Sequence, residues 1–293
     1  VTTEEVGWRG GALVRSELGL RGWVELLVIG AFYATYSWVR NQFGSGNAGG
    51  SGNAGGSGNA GGSGNASGSG GSTGVATART NAQRIIDIED RLGLLIEDDI
   101  QQAFISATSF IQFWNLFYGL FHFLITGLVL AFLYFWRPRA YAFWRTAGLT
   151  TTGLALFGFA LFPLMPPRLL NNCGPFGACE PNWNYVDTVV EVGGIWSFES
   201  GGMAAISNQF AAMPSLHFGW AMWCSLILVR HLRTRPARLA ALLYPWATLF
   251  AILVTANHWW LDAVGGGVAV LCGLALAEVT HNAVNRLRSR RIV

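Results

Sequence analysis

Apolar residues gather in about six long runs, Gly22 to Val39, Phe113 to Trp136, Thr146 to Leu164, Pro214 to Val229, Leu239 to Ala256 and Trp259 to Val279, separated by polar or arginine-bearing segments. Each approaches the roughly 20 residues a helix needs to cross the hydrocarbon core of a bilayer. In that medium every backbone polar group must be satisfied within its own segment or a closed barrel. The pattern therefore predicts an all-α, polytopic membrane helix bundle with about six transmembrane helices. The fourth run is short, so its helix is expected to extend into its flanks or to tilt.

Two stretches follow other rules. From Asn81 to Phe104, charged pairs alternate with Ile85, Ile86, Ile88, Leu92, Leu95, Ile96 and Ile100 at three- and four-residue steps, the pattern of an amphipathic helix lying along the membrane surface. Before it, the hexapeptide beginning Gly44-Ser45-Gly46-Asn47-Ala48-Gly49 repeats almost unchanged to about Gly74, without charge or large apolar side chains. Such a segment cannot bury enough surface to offset its ordering entropy and reads as a flexible linker, natural or introduced. The chain thus divides into residues 1–43 with the first span, linker 44–74, amphipathic helix 75–110 and a membrane core over 111–293.

Composition sharpens this picture. Of 293 residues 52% are hydrophobic and 12% charged, a membrane protein's balance, and a net charge of +3 without a basic patch argues against a nucleic-acid partner. Arginines cluster at Arg9, Arg15 and Arg21, at Arg137, Arg139 and Arg145, at Arg230, Arg233, Arg235 and Arg238, and from Arg286 to Arg291. These clusters precede the first predicted span, separate the second from the third and the fourth from the fifth, and follow the sixth, so six crossings put all of them on one side. By the positive-inside rule both termini are cytoplasmic, and the loop carrying Cys173 and Cys179 faces outward, where a disulfide between them is chemically permitted. Cys224 and Cys272 lie in apolar runs and read as buried small hydrophobes. The first run has no cleavage site after it and is expected to remain as an anchor. Arginine and alanine usage points to the plasma membrane of a high-GC bacterium.

Candidate chemistry collects at one depth of this topology. His217 opens the fourth span and His258 the sixth, both at the outer face, and Arg168 marks the outer exit of the third. Ionisable groups are expensive near hydrocarbon and tend to mark function there. Asp262 follows His258 by four residues, so it can hold one ring nitrogen on the same helix face while the other nitrogen faces a substrate. His217 could then protonate a leaving alcohol, and the Arg168 fork could stabilise phosphate oxygens, with Ser215 and Asn257 as neighbouring binding groups. His122, inside the second span, reads as a packing or interhelical hydrogen-bonding residue. A metal held by two histidines and a carboxylate is the lesser alternative, since no further ligand cluster supports it. The set implies no cofactor.

Pro214-Ser215-Leu216-His217 and His258-Trp259-Trp260-Leu261-Asp262 resemble the second and third signature motifs of the type 2 phosphatidate phosphatase superfamily, over the region from the second span to the sixth. The resemblance implies a six-helix membrane core in which His258 becomes phosphorylated, Asp262 orients it and His217 protonates the leaving group. Two departures stand out. Ala251 and Ile252 occupy the positions of the Ser-Arg of the third motif, and Leu130 stands where the first-motif lysine would precede Arg137-Pro138. Phosphate contacts must come from elsewhere, with Arg168 the outward candidate. With Pro166-Pro167-Arg168-Leu169, Asn257-His258-Trp259 and Leu92-Gly93-Leu94, these departures look most like the inositol phosphorylceramide synthase-like branch, whose members move a phospho-head-group from a phospholipid to a lipid alcohol.

Three functions follow as expectations. The first is a phosphotransferase acting on a membrane lipid phosphoester, with an alcohol acceptor. The second is a lipid phosphate or polyprenyl diphosphate phosphatase with water as acceptor, through the same phosphohistidine. The third is a non-catalytic membrane scaffold or transporter in which the histidines pack or relay protons. The oligomeric state stays open in all three.

Overall fold

A computed structural model describes residues 22–42, 69–174, 176–193 and 209–290. The described secondary structure is helical: α1 (Gly22–Gln42), α2 (Ser69–Arg91), α3 (Glu97–Phe104), α4 (Thr108–Trp136), α5 (Pro138–Leu161), α6 (Thr188–Glu191), α7 (Leu216–His231), α8 (Arg235–Val254) and α9 (Trp260–Arg290). No strand occurs among the described residues; one isolated bridge joins Leu164 to Ala211. The protein is an all-α membrane helix bundle.

Of the six crossings expected, α4, α8 and Trp260–Leu287 of α9 are long and apolar enough to span a bilayer by themselves. The others fall short for visible reasons. Among the described residues α1 is an apolar helix over Gly22–Phe32, and α7 has 16 residues. α5 carries Arg139, Arg145 and a run of threonines, whose hydroxyls donate to carbonyls one turn back, as Thr151 does to Ala147 at 2.8 Å.

The single amphipathic helix expected from Asn81 to Phe104 is two helices. Gly93, at φ +66°, makes the left-handed turn that ends α2, a conformation glycine adopts without steric cost. The apolar face of α2 is covered by protein: Ala78, Ala82, Ile85 and Ile86 pack with Leu164, Met165, Leu169, Tyr185, Phe210 and Trp259. α2 also begins at Ser69, inside the glycine-rich stretch, whose residues 44–68 lie outside those described.

Behind the site, α9 packs on α5 and α7, and α7 on α8. Small residues let these backbones approach closely. A Cβ on Gly266 of α9 would lie 2.3 Å from the Ser215 carbonyl oxygen, and one on Gly273 would lie 2.3 Å from Thr151 Oγ1. The first of these contacts locks the start of α7, and so His217, against the start of α9. Cys224 is buried, whereas Cys272, expected to be buried too, is exposed on the outside of the bundle.

Candidate active site

His258 ends the sharp turn between α8 and α9. Ala256 has a positive φ of 51°, unusual for a residue with a Cβ, and the amides of Asn257 and His258 both point back to the Ile252 carbonyl, at 3.0 and 3.3 Å. His258 Nδ1 lies 2.9 Å from the Ala212 carbonyl oxygen and 3.1 Å from Asp262 Oδ2. Two acceptors at one ring nitrogen assign the proton to Nδ1 and leave Nε2 with a free lone pair. Asp262 is wholly buried, and its Oδ2 also accepts the Trp259 amide at 3.0 Å. The i, i+4 spacing read in the sequence thus orients the imidazole.

His217 occupies the first turn of α7, its Nδ1 3.4 Å from His258 Nε2. Ser215, named above as a binding group, is instead the buried N-cap of this helix, with Oγ accepting the Phe218 amide at 3.4 Å. Its own amide donates to the Asp262 carbonyl at 2.9 Å, so main chain stitches the two histidine-bearing helices together.

α4 supplies what the sequence reading missed. A π-helical turn at Phe117–Phe121 interrupts it, a feature that tends to mark functional sites. Tyr118 in that turn stacks on His217 at 4.2 Å between ring centroids, and His122 meets the same imidazole edge-on at 4.2 Å. His122 Nδ1 lies 2.9 Å from the Tyr118 carbonyl oxygen and donates to it, which turns the other edge of the ring free of the backbone. His122, expected as a packing or interhelical hydrogen-bonding residue, packs across helices against His217.

Arg168 follows Pro166-Pro167, and its amide donates to the Ala256 carbonyl at 3.0 Å, so its backbone is tied to the turn that carries His258. Its Nε donates to Asn257 Oδ1 at 2.9 Å, Nη1 pairs with Asp187 at 2.5 Å and Nη2 donates to Gln209. Asn257, named as a substrate-binding candidate, has its Oδ1 on Arg168 and its Nδ2 on Thr255. Asp187 and Gln209 had no signal in the sequence, the first standing in a polar loop remote from both motifs and the second five residues ahead of Pro214. Nearby, Cys173 and Cys179 form a disulfide. Among the described residues no group of three or more His, Cys, Asp and Glu side chains is arranged to hold a metal ion.

A histidine oriented by a carboxylate, a second histidine against its other ring nitrogen and an arginine on the adjoining turn are groups of the kinds that phosphoester chemistry uses. The family model described as PAP2 superfamily matches residues 83–277, more than half of the chain. The chain belongs to the PAP2 superfamily. It is a phosphatase-type membrane enzyme. No curated protein and no solved structure compared with the chain matches it. The PAP2 match begins within α2, so α2 and α3 belong to the family unit, which reaches further toward the N-terminus than the motifs alone indicate.

Proposed function

We propose that this enzyme is a membrane phosphotransferase that moves a phospho-head-group from a lipid phosphoester to an alcohol acceptor. The observation that carries the reading is the free Nε2 of His258, with its other nitrogen fixed by Asp262 and Ala212 and His217 at 3.4 Å. His258 Nε2 attacks phosphorus, the bond to the leaving oxygen breaks, and His217 delivers a proton to that oxygen. The acceptor hydroxyl then gives its proton to His217 and attacks the phosphohistidine, restoring His258. Arg168 faces the non-bridging oxygens, exchanging part of its contact with Asp187 for phosphate. Burial of His258, only 3% exposed, favours an acceptor arriving within the membrane over bulk water.

The pattern of motif departures aligns the chain with the inositol phosphorylceramide synthase-like branch. The arginine clusters favour six crossings, cytoplasmic termini and an outward-facing site in a bacterial plasma membrane. The test is turnover of labelled lipid phosphomonoesters, diphosphates and phosphoinositides by purified protein, with and without lipid alcohols. Head-group transfer that requires the alcohol supports the proposal, and acceptor-independent phosphate release replaces it with a lipid phosphatase. No turnover by parent and His258→Ala alike favours a scaffold or transporter. The orientation is checked by reducing the disulfide and labelling Cys173 and Cys179 with an impermeant maleimide, which is expected to react from outside only.

A further inference from the structure

Three consecutive amides open α9 beside His258, and each ends on a different carboxyl group. Trp259 donates to Asp262 Oδ2 at 3.0 Å, Trp260 to Glu97 Oε1 at 2.8 Å and Leu261 to Glu89 Oε1 at 3.0 Å. A helix start leaves such amides orphaned, and a single capping side chain or water ordinarily answers them. Here α2 and α3 reach across more than 160 residues of sequence to do so. Glu89 and Glu97 are each 0% exposed. Among the described residues neither forms an ion pair, and no amide or other donor group reaches Glu89 Oε2, which leaves the neighbouring Glu97 carboxyl as its counterpart. Two buried carboxylates side by side without a cation cannot both ionise cheaply, and the helix N-terminus offsets only part of that cost.

We propose that Glu89 and Glu97 are positioning residues, a carboxyl pair that holds one proton between them and clamps the first turn of α9, fixing His258 and Asp262 for attack. The proposal rests on the phosphotransfer reading for its catalytic consequence, though the clamp itself does not. Burial first, then the neighbouring Glu97, pushes Glu89 up to about 9, with Asp262 adding to the effect. Glu97 is raised as well, chiefly by burial. The ionisable groups facing the pair are Asp262 from α9 and Tyr185 from the segment before α6, and both are acids. Because the folded-state value lies above the ordinary 4.5, the stabilisation is complete below that pH and declines toward about 9, where the second ionisation sets Glu89, Glu97 and Asp262 against one another.

The test follows the pH dependence of head-group transfer from labelled phosphatidylinositol to a long-chain lipid alcohol and, separately, of hydrogen exchange in the peptide spanning Thr255 to Ala263, in full-length protein. Glu89→Gln keeps an oxygen for the Leu261 amide and stays neutral. It is expected to move the alkaline limb of kcat upward by about one pH unit or more, and to preserve exchange protection at pH 9. Glu89→Ala is expected to lower kcat about 10-fold at pH 7 with little change in KM, and to accelerate exchange in the same peptide. An unmoved alkaline limb in Glu89→Gln, with parental pH dependence of exchange, overturns the clamp even if Glu89→Ala does not fold. Should the parent show no turnover, the exchange data still judge the clamp while the transfer reading fails.

Discussion

His258 and Arg168 sit on adjoining turns, joined by the Arg168 amide on the Ala256 carbonyl, yet are held in opposite ways. The His258 ring is fixed by a main-chain carbonyl and by a carboxylate in the first turn of α9, the helix that follows it, whose start is stitched by backbone hydrogen bonding to α7. The Arg168 guanidinium is held by three side chains, from Asn257, Asp187 and Gln209, in loops. Helix-mounted groups keep their geometry through a reaction cycle, whereas loop side chains exchange partners readily. On the proposed reading, the nucleophile's aim is built into the bundle, and the phosphate-facing side can adjust to its substrate.

The strongest way to break this comparison is to remove the nucleophile. His258→Ala is expected to lower kcat by ~10³-fold or more in lipid phosphoester turnover, with helical content by circular dichroism unchanged. Asp262→Asn should cost ~10²- to 10⁴-fold in kcat, because an amide can donate to the ring and favour the wrong tautomer. The Arg168 side should yield less. Arg168→Lys is expected to lower kcat/KM ~10- to 100-fold, since one ammonium cannot satisfy a fork that reaches three acceptors, and the loss should appear in KM as well as kcat. Smaller in its effect on chemistry is Gly266→Ala, which puts a Cβ against the Ser215 carbonyl. It should destabilise the bundle by ~1–3 kcal/mol in a denaturant or thermal assay, and what activity remains should depend on how far α7 shifts.

The His258 side was legible in the sequence and the Arg168 side only half so, for physical reasons. Helical spacing of four residues ties Asp262 to His258 wherever a helix forms, and the alternation of arginine clusters brings His217 and Arg168 to the same end. Nothing in the spacing reveals Asp187 or Gln209, because loop partners are chosen by tertiary path. The packing of His122 on His217 was not legible because a histidine within an apolar run has no visible partner, and the π-helical turn at Phe117–Phe121 rotates its face by an amount no regular period describes. Glu89 and Glu97 hid among the charged pairs of an amphipathic pattern, where buried and solvated carboxylates look alike. The break at Gly93 divides that pattern and aims both residues at α9.

The most direct test of the account is to trap the phosphoenzyme with a ³²P-labelled lipid phosphoester and follow the label. The expected result is an acid-labile, alkali-stable label on the peptide containing His258, absent from His258→Ala. A label that persists in that variant, or turnover by the parent without any such label, would contradict the central claim.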